Sequence, residues 1–158
     1  MKWRRSLTKN MLPKFPHINR RIGAKTSLIK YEKNVELNVD DTIRVFDSST
    51  INRPTDDPSR IKTMFDHANL IISAWDANKL VGVCRALTDF IYCCYLSDLA
   101  VDFEYQRQGI GTAMIENIRH EIGEKASLVL LSAPGAMEYY PKVGFEKIGN
   151  GYRIQRKF

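Results

Sequence analysis

Residues 95–122 constrain the fold of this chain more than any other stretch. Tyr95-Leu96-Ser97-Asp98-Leu99-Ala100-Val101-Asp102 reads as a strand, Gln106-Arg107-Gln108-Gly109-Ile110-Gly111 as a glycine-containing turn, and the residues after it as a helix. Backbone amides at a helix N-terminus have no intrahelical acceptor and sit at the positive end of the helix dipole, so this order builds a place for an anion such as a phosphate. Gly109 and Gly111 carry no Cβ and let a ligand approach the main chain.

Three kinds of phosphate loop compete for this turn. A Walker-type loop requires Gly-Lys-Ser/Thr after its spacer, and neither that lysine nor the hydroxyl is present. A dinucleotide fingerprint requires Gly-x-Gly-x-x-Gly, but the chain reads Gly109-Ile110-Gly111-Thr112-Ala113-Met114, with Leu131-Ser132 where a ribose-binding acid belongs. The third is the Gln/Arg-x-x-Gly-x-Gly/Ala turn, and Gln106 to Gly111 meets it at every specified position.

Six residues match by chance too often to stand alone, so the flanks carry weight. Leu99-Ala100-Val101-Asp102 precedes the turn, and Ala136-Met137-Glu138-Tyr139-Tyr140-Pro141-Lys142-Val143-Gly144-Phe145 follows the helix. Together these segments resemble the GNAT superfamily of acyl-CoA-dependent N-acetyltransferases. They are similar to the end of its fourth strand, its pyrophosphate turn, and the Ala-x-x-x-Tyr-x-Lys-x-Gly-Phe signature of its last helix and following strand. The resemblance is specific from about Tyr92 to Phe145 and one of pattern from about Thr26 to Phe90.

Composition fits one ordinary globular domain. The chain has 158 residues, enough to bury a continuous core without disulfides. No apolar run approaches the ~18 residues of a membrane-spanning helix. The net charge of +6 invites a nucleic-acid reading until it is located. Residues 1–25 hold eight of the 24 Lys and Arg residues and no acid, which leaves 16 bases against 18 acids over residues 26–158, a formal charge of −2. The basicity therefore belongs to an N-terminal extension, 1–25, and not to the domain expected over 26–158. That extension fits contact with RNA, anionic lipid or an acidic partner, or a transit peptide in a eukaryote; it equally fits a solvated or packed terminus, or an overlong start with Met11 as initiator. It lacks the apolar core of a secretory signal. Cys84, Cys93 and Cys94 form neither a disulfide framework nor a zinc pattern and suit a reducing compartment, so a cytoplasmic location is expected; buried structural roles are expected for all three. His17, His67 and His120 are remote from them in sequence.

Periodicity places the remaining elements. Thr26–Glu32 suits a first strand. Asn38 or Asp40 caps a short helix carrying Ile43, Val45 and Phe46, and Pro58 opens a second with Ile61, Met64, Phe65 and Ala68 on one face. Leu70–Trp75 and Leu80–Leu87 read as strands joined by a turn at Asp76-Ala77-Asn78-Lys79, and Phe90–Val101 as the fourth strand. Ile110, Met114, Ile118 and Ile122 form one stripe on a helix that runs from Gly109 to about Ile122. Leu128–Leu131 reads as a short buried strand, Pro134 begins a brief helix that ends before Gly144, and Phe145–Ile148 with Tyr152–Gln155 reads as a closing hairpin. The class is α/β. The resemblance implies the GNAT fold, a mixed central sheet of about six to seven strands splayed between strands four and five, with about four helices.

The resemblance also implies chemistry: acetyl transfer from acetyl-CoA, as cosubstrate and without a metal, to an amine acceptor. Gln106, Arg107, Gln108, Gly109, Ile110, Gly111 and Thr112 are expected to bind the cofactor, the amides from Arg107 to Thr112 holding its pyrophosphate with Arg107 as charge partner. Main-chain groups of Leu99, Ala100 and Val101 are expected to hold pantetheine, with the amide near Val101 donating to the oxyanion. Tyr140 matches the family's motif tyrosine, a general acid; Tyr139, about 100° away on a helix, is the alternative. Ala133 stands where many members carry an Asn, with Ser132 beside it. Asp98 is a candidate general base or a structural hydrogen-bonding group, with Tyr95 and Ser97 expected on the opposite strand face. Phe46, Arg53, Asp56, Asp57, Trp75 and Tyr92 are candidates for acceptor recognition, although Asp56-Asp57-Pro58 reads equally well as a helix cap. A homodimer is compatible with the resemblance; nucleic acid is disfavoured as a partner. A non-catalytic CoA-binding sensor or interaction module is the competing function, and a nucleic-acid binder using the basic tail a third.

Overall fold

The computed structural model describes residues 28–157. The expectations for residues 1–25, for Met11 and His17, and for the start of the first strand at Thr26 lie outside them. Eight regular elements follow in order: β1 (Ile29–Lys33), α1 (Val39–Ser49), α2 (Pro58–Asp66), β2 (Leu70–Asp76), β3 (Lys79–Thr88), β4 (Cys93–Val101), α3 (Ile110–Ile122) and β5 (Ser127–Leu130). Short 3-10 turns occupy Phe103–Tyr105, Pro134–Ala136 and Tyr140–Val143.

Local chemistry explains the helix boundaries. The Asn38 side chain accepts from the amides of Asp40 and Asp41 and caps α1, while Asp57 accepts from Arg60 N and caps α2 ahead of Pro58. Gly109, at φ 81°, turns the chain into α3 with no side-chain cap.

The strands form one sheet in the order β1-β2-β3-β4-β5, antiparallel except for the parallel β4–β5 pair. α3 covers one face: Ile110, Met114, Ile115, Ile118 and Ile122 pack with Leu70, Ile72, Val81, Cys84, Ala86, Cys94 and Leu96. α1 and α2 cover the other through Val45, Phe46 and Ile61, against Ile71, Leu80, Val83 and Ala100. Each fully buried aliphatic side chain contributes about 1.5–3 kcal/mol, so α3 alone anchors its end of the sheet firmly.

Two features of β4 position the site. Its pairing with β5 stops at Leu96↔Leu130, while β4 itself continues to Val101 along β3. The two parallel strands therefore fork after Leu96. At the same point β4 carries a bulge: Arg85 faces Asp98 and Ala86 faces Leu96, leaving Ser97 unmatched. An extra residue reverses the alternation of a strand. Cys94 and Leu96 consequently belong to the α3-side core, whereas Ala100 belongs to the α1/α2-side core.

Several boundaries differ from the sequence reading. The sheet has five strands and the described residues three α-helices, fewer than the expected six to seven and four. β4 begins at Cys93 because Asp89 accepts from the amides of Ile91, Tyr92 and Cys93 and folds Phe90–Tyr92 into a turn. β5 is a half-exposed edge strand, not a buried one, since no strand flanks its outer side among the described residues. The expected helix from Pro134 is two 3-10 turns. The closing hairpin does not form: residues 145–157 carry no regular structure, and the apolar side chains of Tyr152 and Ile154 stand fully exposed.

Candidate active site

The turn from Val101 to Ile110 is braced from within. Gln106 Nε2 donates to the Val101 carbonyl at 3.0 Å, and Gln108 Nε2 to the Glu104 carbonyl at 3.0 Å. Asp102, nearly buried, accepts from Ser48 Oγ at 3.0 Å and pairs with Arg44 at 3.1 Å and Lys79 at 3.3 Å. Burial pushes its carboxyl up, but the Glu104 amide, Ser48 and Lys79 more than offset this and hold it below the usual range. The end of β4 is thus fastened to α1 and β3 before the chain enters α3.

That bracing leaves the helix end open. Ala113 N is the first amide of α3 to find a main-chain acceptor, the Gly109 carbonyl at 2.9 Å, so the amides from Ile110 to Thr112 point out of the helix without one. Arg107 takes φ 60° and is exposed, and no hydrogen bond or ion pair among the described residues engages its guanidinium. A Cβ placed on Gly111 would lie 3.0 Å from the Tyr139 hydroxyl and 3.8 Å from Val101, so a side chain there would fill the cradle. These residues fit an anionic group at the helix terminus. Gln106 and Gln108, by contrast, spend their side-chain donors on the loop itself.

Tyr139 and Tyr140 part company. Tyr139 packs on the α3-side core with its hydroxyl 3.4 Å from Thr112 Oγ1; burial pushes its phenol up and the Thr112 bond draws it down. Tyr140 lines a groove of about 500 Å³ beside β5, together with Leu130, Leu131, Pro141 and Phe145. Its ring meets Phe145 edge-on at 5.5 Å and Tyr139 at 5.3 Å. Burial raises the Tyr140 phenol, Tyr139 and Cys84 add to the rise, and the Arg53 guanidinium opposes it. The Ser132 hydroxyl beside Ala133 donates to a main-chain carbonyl at 2.9 Å.

Asp98 stands at the fork and is 1% exposed. Arg53 Nε donates to one carboxylate oxygen and Arg85 Nε to the other. Arg53 also donates to the Ser97 carbonyl at 2.7 Å, and Arg85 to Ser97 Oγ at 2.8 Å and the Met64 carbonyl at 3.2 Å. Because of the bulge, Ser97 Oγ meets Arg85 on the same side as Asp98, not the opposite one. Arg85 was missed in the sequence, though an arginine inside the apolar run Leu80–Leu87 is the signal that a buried acid faces it.

The acceptor candidates scatter. Phe46 is core at 0% exposure, Trp75 is half-buried with its indole N–H on Ser73 Oγ, and Asp57 caps α2. Asp56 and Tyr92 are exposed, the latter at the β3–β4 turn far along the strand from Asp98. Of the cysteines, Cys84 and Cys94 are buried and their thiols pushed up by burial, whereas Cys93 is exposed. Among the described residues no cluster of His, Cys, Asp and Glu is arranged to hold a metal ion, and no helix is long and apolar enough to cross a membrane.

Residues 31–155 match the acetyltransferase (GNAT) domain family. The chain is 30% identical over 77 residues to GCN5-related N-acetyltransferase 2, chloroplastic, of Arabidopsis thaliana, a match covering 48% of this chain and 30% of that protein. It is 29% identical over 80 residues to Histone acetyltransferase TAP1 of Glycine max, covering 49% and 35%. The chain thus spans about a third of the length of these plant relatives. In three dimensions it resembles an acetyltransferase of the GNAT family from Streptococcus pneumoniae, with TM-score 0.63 and 20% identity over 82% of this chain and 99% of that one.

Proposed function

The chain belongs to the GNAT acetyltransferase family, and from that premise we propose that it transfers an acetyl group from acetyl-CoA to the amino group of a small amine or a protein. The observation that carries this reading is the combination of an uncapped α3 N-terminus, the fork between β4 and β5, and a half-buried tyrosine in the groove beside the β5 branch. The Glycine max relative is named a histone acetyltransferase, which keeps a protein acceptor beside small amines.

In this proposal Arg107 and the amides from Gln108 to Thr112 hold the pyrophosphate, where the helix dipole and unpaired N–H groups favour negative charge. Leu99, Ala100 and Val101 form the stretch of β4 that β5 has left; the main-chain groups of Leu99 and Val101 turn away from β3 there and, with Ala100 between them, hold the pantetheine arm. Bound there, acetyl-CoA supplies its acetyl group as a thioester. The Val101 amide donates to the oxygen that gains charge, and such preorganised donors are worth roughly a hundredfold in rate or more. Tyr140 keeps its proton at neutral pH, since burial holds its phenol above the ordinary value of ~10, and delivers it toward the departing sulfur. Asp98, with both oxygens engaged by arginines, serves as an anchor for the site; the acceptor's proton leaves to water. For location, we propose the cytoplasm, with an organelle as the alternative in a eukaryotic source.

The test is release of free thiol when the full chain meets acetyl-CoA and a panel of arylalkylamines, polyamines and peptides. The proposal expects amine-dependent release and a mass gain of one acetyl group on at least one amine. Tight CoA binding with no amine acetylated would instead identify a CoA-binding sensor or interaction module.

A further inference from the structure

Arg53 lies in the loop between α1 and α2, residues 50–57, whose main-chain bonds are local: Thr55 N to the Arg53 carbonyl at 2.8 Å and Asp57 N to the Pro54 carbonyl at 3.1 Å. The arginine side chain leaves this loop for the sheet. It pairs with Asp98 and donates to the carbonyl of Ser97, the first residue of β4 beyond the last β5 pair, Leu96↔Leu130. Across the fork, Tyr140 shares its groove with Leu131 and Ser132, the first residues of the other branch beyond that pair.

Charge at this point does not balance. One carboxylate faces two guanidiniums, and Arg85 is the more deeply committed of the two. Its side chain is 8% exposed, bonds Ser97 Oγ and the Met64 carbonyl, and lies over the Phe65 ring at 5.7 Å. The Arg53 side chain is 22% exposed and is held on Ser97, the first β4 residue beyond the last β5 pair. A single Asp98–Arg85 pair would satisfy the buried carboxylate, so the second cation is surplus to it.

Resting on the acetyl-transfer reading above, we propose that Arg53 is a positioning residue of that reaction: it pins the loop at 50–57 to β4 and fixes a surplus positive charge across the fork from the Tyr140 hydroxyl. A cation there stabilises the anionic form of the phenol and so makes Tyr140 a readier proton donor. The titratable groups acting on that phenol are Tyr139 beside it, Cys84 from β3 and Arg53 from the α1–α2 loop, with Glu138, Glu146, Lys147, Tyr152 and Arg153 lining the outer groove. Arg53 is the one of the first three that draws the phenol down. Removing it makes Tyr140 a weaker acid and moves the alkaline limb of the pH–rate profile upward, because the phenol then loses its proton only at higher pH.

The test compares full-length wild type, Arg53→Gln and Arg53→Lys, using the amine acetylated best by the wild type. Arg53→Gln is expected to fold, since Asp98 keeps Arg85, and thermal melting checks this. It is expected to lower kcat by roughly tenfold with little change in CoA affinity and to displace the alkaline limb upward. Arg53→Lys, which keeps the charge but not the planar fork, is expected to bring the limb back toward wild type. An active wild type whose Arg53→Gln variant keeps the same limb, or loses efficiency through KM alone, overturns the role of Arg53 and leaves acetyl transfer standing. Equal losses in Gln and Lys that follow the fall in melting temperature also overturn it, in favour of a purely structural latch. A wild type that acetylates no amine overturns the transfer reading and the role of Arg53 with it.

Discussion

β4 and β5 run side by side and parallel, yet they are held in opposite ways. β4 is nine residues long, bonded to β3 along its length, buried at alternate positions between two apolar clusters, and clamped near its end by Asp98 and Asp102. β5 is four residues long, half exposed, and followed by 3-10 turns and a terminal segment without regular structure. The fork between them therefore has one rigid wall and one loosely held wall. In the proposed enzyme the rigid wall carries the main-chain groups that hold a large cosubstrate, while the looser wall carries Tyr140. A site that must grip one partner and exchange another gains from that division, because local stability need not be uniform across a fold.

This contrast is open to measurement. The largest effect is expected from Asp98→Asn, which leaves a buried guanidinium, Arg85, and a half-buried one, Arg53, facing a neutral amide; urea unfolding should show a loss of about 3–5 kcal/mol. A loss below about 1 kcal/mol would mean that β4 owes its rigidity to packing alone. Next comes Tyr140→Phe on the looser wall, expected to lower kcat by roughly a hundredfold while CoA affinity stays within about threefold; equal losses in both would assign Tyr140 to packing.

A smaller effect is expected at the turn where β4 starts and where Ser127 N of β5 bonds the Tyr92 carbonyl at 2.9 Å. The amides of Ile91, Tyr92 and Cys93 depress the Asp89 carboxyl to about 2. Its folded value lies below its unfolded one, so its contribution is present above pH ~4 and is lost as pH falls through about 2. Hydrogen exchange should show those three amides losing protection over that window, and Asp89→Ala should remove the pH dependence. The smallest effect belongs to the terminal segment: Ile154→Ser, at a fully exposed position, should change stability by less than about 0.5 kcal/mol. A larger loss would show that residues 145–157 pack against the looser wall more firmly than their exposure indicates.

The rigid wall is also the part most legible in the sequence. The turn at Gln106–Gly111, the stripe from Ile110 to Ile122, the Asn38 cap and Pro58 at the start of α2 are local signals, and each stands where periodicity or capping chemistry puts it. What escaped depends on partners distant in the chain. The bulge at Ser97 arises from pairing with β3, so strict alternation assigned Ser97 to the wrong face. Phe46, a candidate for acceptor recognition in the sequence, is core, because α1 lays that face on the sheet, which the sequence does not say. The expected hairpin at 145–155 has turn chemistry at Gly149-Asn150-Gly151, but a hairpin also needs a neighbour for its apolar side chains, and Tyr152 and Ile154 have none among the described residues.

The most direct test of the central claim is calorimetric titration of CoA into the wild type and into Gly111→Glu. The substitution puts bulk within 3.0 Å of the Tyr139 hydroxyl and a negative charge at the α3 N-terminus. The account predicts one CoA bound per wild-type chain and affinity at least about a hundredfold weaker in the variant, with both chains folded. Equal affinity in the two would contradict it, because the cosubstrate would then lie somewhere other than the end of α3.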